Sequence, residues 1–232
     1  MKTKPALSLR LALLSGLTVL LTACSSGPKP ADWQVEAKDS MERSIKAYME
    51  GNNRVEAAEL ARARNQLSRT GRADLLATAE LLRCASRVAG LVFEPCPAFE
   101  SLRRDATPAQ GAYADYLQGQ LKPSNMVLLP AAQRTAQAGG AAALKEIADP
   151  LSQLVAAGVL LKTGKASPAV MAQAVDTASS QGWPRPLLAW LGVQAQYADG
   201  NGNLEEAARL RRRMALTENA GLPLKNPMKE SP

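Results

Sequence analysis

The chain contains no histidine. That absence excludes Ser-His-Asp and Cys-His catalysis, histidine general acid–base work and the commonest zinc sites together. Only His-free chemistry stays open: carboxylate pairs, Ser-Lys dyads or purely electrostatic sites. Aromatic residues are scarce, with three Trp, four Tyr and two Phe in 232 residues, and β-branched runs are nearly absent. Ala, Leu, Arg and Gln are abundant instead, which favours helices packed through small side chains over sheets. Long apolar runs are missing as well. The stretch from Leu11 to Leu21, broken by Ser15, Gly16 and Thr18, is about half the ~20 residues that a membrane-crossing helix needs, and no later stretch is longer. No permanent transmembrane helix is expected, no Gly-rich phosphate loop occurs, and neither a cofactor nor a metal is expected.

What is present begins at the N-terminus. Lys2, Lys4 and Arg10 precede the apolar stretch and small residues follow it, the order of a secretory signal. An ordinary signal site takes small residues one and three before the cut, which Leu21, three before Cys24, does not supply. Leu21-Thr22-Ala23-Cys24 resembles the lipobox of bacterial lipoproteins at all four positions. The resemblance implies that 1–23 is a signal peptide, that the Cys24 thiol receives a diacylglyceryl group, and that the chain is cut before Cys24 and its new amine acylated. At about 0.8 kcal/mol per buried methylene, two or three acyl chains anchor a protein essentially permanently where one holds it weakly. In that family an Asp after the cysteine commonly retains the protein in the inner membrane. Ser25 and Ser26 stand here instead, so the resemblance implies the outer membrane, periplasmic face. The alternative is a soluble secreted protein with a free N-terminal thiol. Residues 24–31 read as the acylated cysteine and a short tether, stiffened by Pro28 and Pro30.

Loss of Lys2, Lys4 and Arg10 leaves 25 basic against 21 acidic side chains, a net charge of about +4. So mild a surplus suits solubility or weak attraction to anionic envelope polymers, and no nucleic acid is expected as a partner. With Cys24 acylated, Cys84 and Cys96 are the two remaining thiols. An even number in an oxidising compartment suggests a disulfide worth roughly 3 kcal/mol; the alternative is two buried thiols.

Turn and cap signals divide 32–220 into helices. Asp32 caps a first helix to Met49 in which Met41, Ile45 and Tyr48 share a face, and Gly51 ends it. Asn53 caps a second to about Thr70, and a third runs over about 72–89. Pro95 and Pro97 make 90–98 a rigid bend. Thr107-Pro108, Asp149-Pro150 and Ser167-Pro168 each pair an N-cap residue with Pro at the first helical position, which predicts helices near 108–120, 150–162 and 168–181. Another is expected over 126–148, disturbed at Gly139-Gly140. Pro186 opens one to about Ala198 and Asn203 caps the last, to about Asn219. The tail 221–232, with three prolines, reads as disordered.

Tyr48, Gly51, Asn52, Glu56, Ala58, Arg62, Arg64 and Leu67 recur 149 residues later as Tyr197, Gly200, Asn201, Glu205, Ala207, Arg211, Arg213 and Leu216. Tyr-x-x-Gly followed by Glu-Ala resembles the turn of tetratricopeptide and Sel1-like helical hairpins, and Leu191-Gly192 adds to the likeness. Pro150 to Pro186 and Pro168 to Leu204 are both 36 residues, a hairpin-repeat length. The resulting expectation is an all-α domain of stacked helical hairpins, either a tetratricopeptide-like α-solenoid or a helical bundle.

Arginines cluster near the second helix and on the last. They read either as a solvated face with Glu partners or as a cationic groove, for which Tyr48, Arg62, Arg64, Tyr197, Arg211 and Arg213 are the candidate partner-binding residues. Glu94, Glu100 and Asp105 have no spacing that singles them out as the carboxylate pair of a glycosidase. The expected function is that of a non-catalytic scaffold, adaptor or assembly factor, acting through a periplasmic or outer-membrane protein partner. The alternative is a module that binds peptidoglycan or lipid phosphate through its arginine faces.

Overall fold

The computed structural model describes residues 29–219. The signal segment, the lipobox, Cys24 and the tail 221–232 lie outside the described residues. Residues 29–31 have no regular secondary structure, and residues 33–219 belong to one compact unit.

Ten α-helices and two 3-10 turns make up the described residues, without a strand, in agreement with the all-α expectation. In chain order they are α1 (Asp32–Met49), α2 (Asn53–Ser68), α3 (Ala73–Ala89), α4 (Pro97–Glu100), a 3-10 turn (Arg103–Asp105), α5 (Pro108–Leu117), a second 3-10 turn (Pro123–Leu128), α6 (Ala131–Lys145), α7 (Pro150–Lys162), α8 (Pro168–Ser180), α9 (Pro184–Gly200) and α10 (Leu204–Glu218).

Side-chain caps start the helices where the sequence places them. The Thr107 hydroxyl accepts from the Gln110 N–H while the Gln110 side chain accepts from the Thr107 N–H, a complete capping box. Asp149, Ser167 and Asn203 cap α7, α8 and α10. Three boundaries differ from expectation. Asn52, not Asn53, caps α2 by accepting from Val55 N–H. α9 begins at Pro184, because either proline can occupy a first turn that needs no donor. The helix expected over 126–148 is divided at Pro130, which follows the second 3-10 turn, and is interrupted again at Gly140 (φ 54°, ψ −133°). The bend at 90–98 runs straight into α4, whose first residue is Pro97.

Six interhelical junctions end in the same device. A residue with positive φ is followed by one whose N–H reaches back five positions to a helix carbonyl: Asn52 to Ala47, Val92 to Arg87, Gln120 to Asp115, Lys165 to Leu160, Trp183 to Ala178 and Asn203 to Ala198, at 2.8–3.0 Å. Glycine supplies the positive φ at five of them and Leu91 (φ 60°) at the sixth.

The core is built around α7, whose residues from Gln153 to Leu160 are all buried. An amphipathic surface helix buries one stripe; a helix buried on every side needs neighbours all round. α3, α6 and α8 supply them, with α5 alongside. Closest approach is at Gly158, where an added Cβ would lie 2.5 Å from the Val88 carbonyl oxygen of α3. α7 with α8 and α9 with α10 form successive hairpins, and α8 packs on α9. α9 also reaches the N-terminal helices: fully buried Trp190 donates through Nε1 to the Ala89 carbonyl at 3.2 Å. A second, smaller apolar cluster of Ala37, Met41, Leu60, Ala63, Leu67 and Ala79 lies among α1, α2 and α3.

Candidate interaction surfaces

Arg43, Arg62, Arg64 and Arg87 are engaged. α2 turns Glu56 and Glu59 inward and α3 turns Glu80 inward, each no more than 7% exposed. A carboxylate taken out of water needs a hydrogen-bonded cation, and each has one. Glu59 accepts from Arg43 of α1, at 3.0 Å, and from Arg62. Glu80 is held bidentately by Arg64. Glu56 is held by Arg87 of α3, whose Nε also lies 3.8 Å from Glu94. Arg62 and Arg64, two positions apart, therefore serve opposite neighbours: Arg62 faces a polar cleft between α1 and α2, and Arg64 faces α3.

Tyr48 is 2% exposed, so it belongs to the interior and not to a binding surface. Its ring lies between two guanidiniums, Arg87 at 3.8 Å and Arg185 of α9 at 4.2 Å from the centroid, a doubled cation–π contact. Arg185 donates through Nε to the Tyr48 carbonyl at 2.6 Å and through Nη2 to Asn53 Oδ1. Gly90 leaves room for the phenol, since a Cβ there would sit 3.1 Å from its oxygen. Burial raises the Tyr48 hydroxyl above its ordinary pKa, against the opposing pull of the Arg87 and Arg185 charges. The cluster joins the α1–α2 turn, the end of α3 and the start of α9.

The 149-residue match does not correspond to equivalent surroundings. Tyr197 is 47% exposed, on a groove of about 220 Å³ bounded by α8, α9 and α10. Glu56 is buried and Glu205 exposed; Leu67 is 9% and Leu216 75% exposed. The turns themselves do match, but 151 residues apart: Asn52 and Asn203 cap, and Asn52 N–H to Ala47 repeats as Asn203 N–H to Ala198. On α10, Arg211 pairs with Asp199 and Arg209 with Glu206, while Arg212 and Arg213 make no ion pair among the described residues. The six candidate partner-binding residues are thus spread over the interior and several faces, without forming one groove.

The cysteine pair is brought together. The sulfurs of Cys84 on α3 and Cys96, the residue before α4, are at bonding distance, 2.11 Å, and both residues are buried. Of the carboxylates considered for glycan chemistry, Glu94 faces Arg87, and Glu100 is gripped by Arg103 at 2.6 and 2.8 Å. The Arg103 guanidinium holds the Glu100 carboxyl below its usual range, opposite to what the acid of a glycosidase pair requires. Among the described residues, no cluster of three Cys, Asp or Glu side chains is placed to hold a metal, and no helix is long and apolar enough to cross a membrane.

A further surface contains none of the candidate residues. An apolar groove of about 390 Å³ opens between α1 and α3 beside the last turn of α2. Its floor is Ala37, Met41, Leu67 and Ala79, and its walls are Trp33, Ile45, Leu75 and Leu82. The signal was the four-residue spacing of Trp33, Ala37, Met41 and Ile45, together with Leu75, Ala79 and Leu82 on a face of α3 distinct from its core stripe of Ala77, Leu81, Cys84 and Val88. Comparison with protein-family models, curated proteins and solved structures returns no match to this chain.

Proposed function

We propose that the protein is a lipoprotein anchored by acylated Cys24 to the periplasmic face of the outer membrane, and that its helical domain is a non-catalytic scaffold, adaptor or assembly factor working through protein contacts. The observation that carries this reading is Leu21-Thr22-Ala23-Cys24 behind a cationic and apolar leader. Two features support it. A cysteine pair at bonding distance belongs in an oxidising compartment. The buried carboxylates are bound to arginine, an arrangement suited to holding helices together rather than to moving protons. In cells fed labelled palmitate, wild-type protein should carry label and fractionate with outer membranes, and Cys24→Ala should lose both. A Cys24→Ala protein that still fractionates with outer membranes rejects the anchor. Crosslinking in the native envelope then identifies the partner; one protein captured through high salt is the scaffold's signature.

The second reading, binding of peptidoglycan or lipid phosphate, has Arg212 and Arg213 in its favour, since they make no ion pair among the described residues. Cosedimentation with peptidoglycan that falls steeply with salt, and falls further in Arg212→Ala/Arg213→Ala, is the result that selects it.

A further inference from the structure

We infer that the first half of α6, residues 131–139, is a flap that opens from the core by local unfolding while the rest of the molecule stays folded. The break at Gly140 isolates it. There φ 54° and ψ −133° lie where only glycine rests easily, and a Cβ at Gly139 would sit 2.7 Å from that of Ala143. The helical ladder is thus interrupted between the two halves, and the first gains little support from the second. A segment this short cannot hold a helix by itself in water, where even about 12–15 residues are marginal. Docking alone keeps it helical.

That docking is weak. The inward residues of 131–139 are Ala132, Gln133, Ala136 and Gln137, two methyl groups and two amides, whereas α7 buries Leu154, Val155, Val159 and Leu160. Little apolar area is removed from water. The amides do not compensate: Gln133 Oε1 and Gln137 Nε2 are buried without a hydrogen-bond partner among the described residues, as is the hydroxyl of Tyr116 on α5, which Gln137 approaches. An unpartnered buried polar atom opposes burial, and opening returns all three to water. The flanks are held better. Before the flap, Leu129 is buried and its carbonyl accepts from Arg134, which also reaches the Val127 carbonyl. After it, Leu144 is fully buried and its carbonyl accepts from Gln153 of α7. Opening is confined between these fixed points, and it uncovers Tyr116 beside its stacking partner Tyr113. The flap is independent of whether Cys24 is acylated, because every residue that builds it lies between 113 and 160.

The test reads the accessibility of a buried thiol in the full chain carrying Cys24→Ala, with Cys84 and Cys96 bonded to each other. Ala136 in the flap and Ala157 in α7 are both fully buried, so Ala136→Cys and Ala157→Cys are compared for reaction with iodoacetamide under native conditions. Ala136→Cys should react about tenfold faster or more, at a rate that dilute urea hardly changes, because a local opening exposes little surface. Ala157→Cys should accelerate steeply with urea. Removing the three unpartnered atoms with Tyr116→Phe, Gln133→Met and Gln137→Met, which keep the side-chain shapes, should slow labelling of Ala136→Cys by about tenfold or more. Equal rates and equal urea dependence at the two positions overturn the flap, and so does labelling that the triple replacement leaves unchanged. Should Ala136→Cys fail to fold, hydrogen exchange of the Cys24→Ala chain gives the same reading. Amides 135–139 should exchange about tenfold faster or more than amides 154–160, and equal protection overturns the proposal.

Discussion

Tyr48 illustrates what a single residue means once its surroundings are known. Its sequence neighbourhood, a tyrosine three residues before a glycine turn, suggests an exposed recognition residue, yet both cations that enclose it come from elsewhere in the chain, Arg87 on α3 and Arg185 137 residues away. Arg87 also neutralises buried Glu56. Arg87→Leu should therefore cost about 3 kcal/mol in urea unfolding by leaving that carboxylate unpaired, and Glu56→Leu added to it should recover a large part. Tyrosine burial has a pH consequence. Tyr48, Tyr113 and Tyr116 all have hydroxyl pKa values raised by desolvation. Because the folded values exceed the ordinary value near 10, this contribution to stability is complete below pH ~10 and is lost as pH rises above it. The tyrosinate absorbance of these three of the four tyrosines should thus rise together with loss of helical ellipticity. A tyrosinate signal that is complete while ellipticity is intact contradicts the burial of these hydroxyls.

At the scale of elements, helix starts were legible because a cap is a local event. Thr107, Asp149, Ser167 and Asn203 act within three residues of themselves, and proline at a first turn needs only its own fixed φ. Expectation and structure part where two nearby residues are equally competent, as with Asn52 and Asn53 or Pro184 and Pro186, and at Pro130, which separates a 3-10 turn from α6 instead of lying inside one helix. Glycines are less legible, since their reason lies in a neighbour. Gly158 faces the Val88 carbonyl, so Gly158→Ala should lower stability by about 2 kcal/mol despite the better helix propensity of alanine. At Gly192, the new methyl meets nothing closer than Met214 Cε at 3.8 Å. Gly192→Ala should therefore raise stability by about 0.5–1 kcal/mol. Thermal denaturation of the two variants side by side, with Gly158→Ala melting below and Gly192→Ala above the wild type, checks the close α3–α7 contact.

For the whole molecule, the Cys84–Cys96 bond closes a short loop, whereas the Arg185–Tyr48 and Trp190–Ala89 hydrogen bonds join segments 137 and 101 residues apart. Replacing both cysteines by serine opens a loop with a sequence separation of 12 and should cost roughly 3 kcal/mol, an effect that reductant reproduces in the wild type and leaves absent in the variant. Much about this protein follows from its sequence alone: the lipobox resemblance, the exclusion of histidine chemistry, the all-α class and most helix starts. Each of these depends on composition or on residues within a few positions of one another. The tertiary structure alone decided that Tyr48 is interior, that Arg62 and Arg64 serve different helices, that α7 is enclosed, and that α1 and α3 leave an apolar groove between them. Those outcomes depend on which distant faces meet and how closely they fit. Hydrophobic burial is non-directional, so an apolar stripe announces that it will be covered without stating by what.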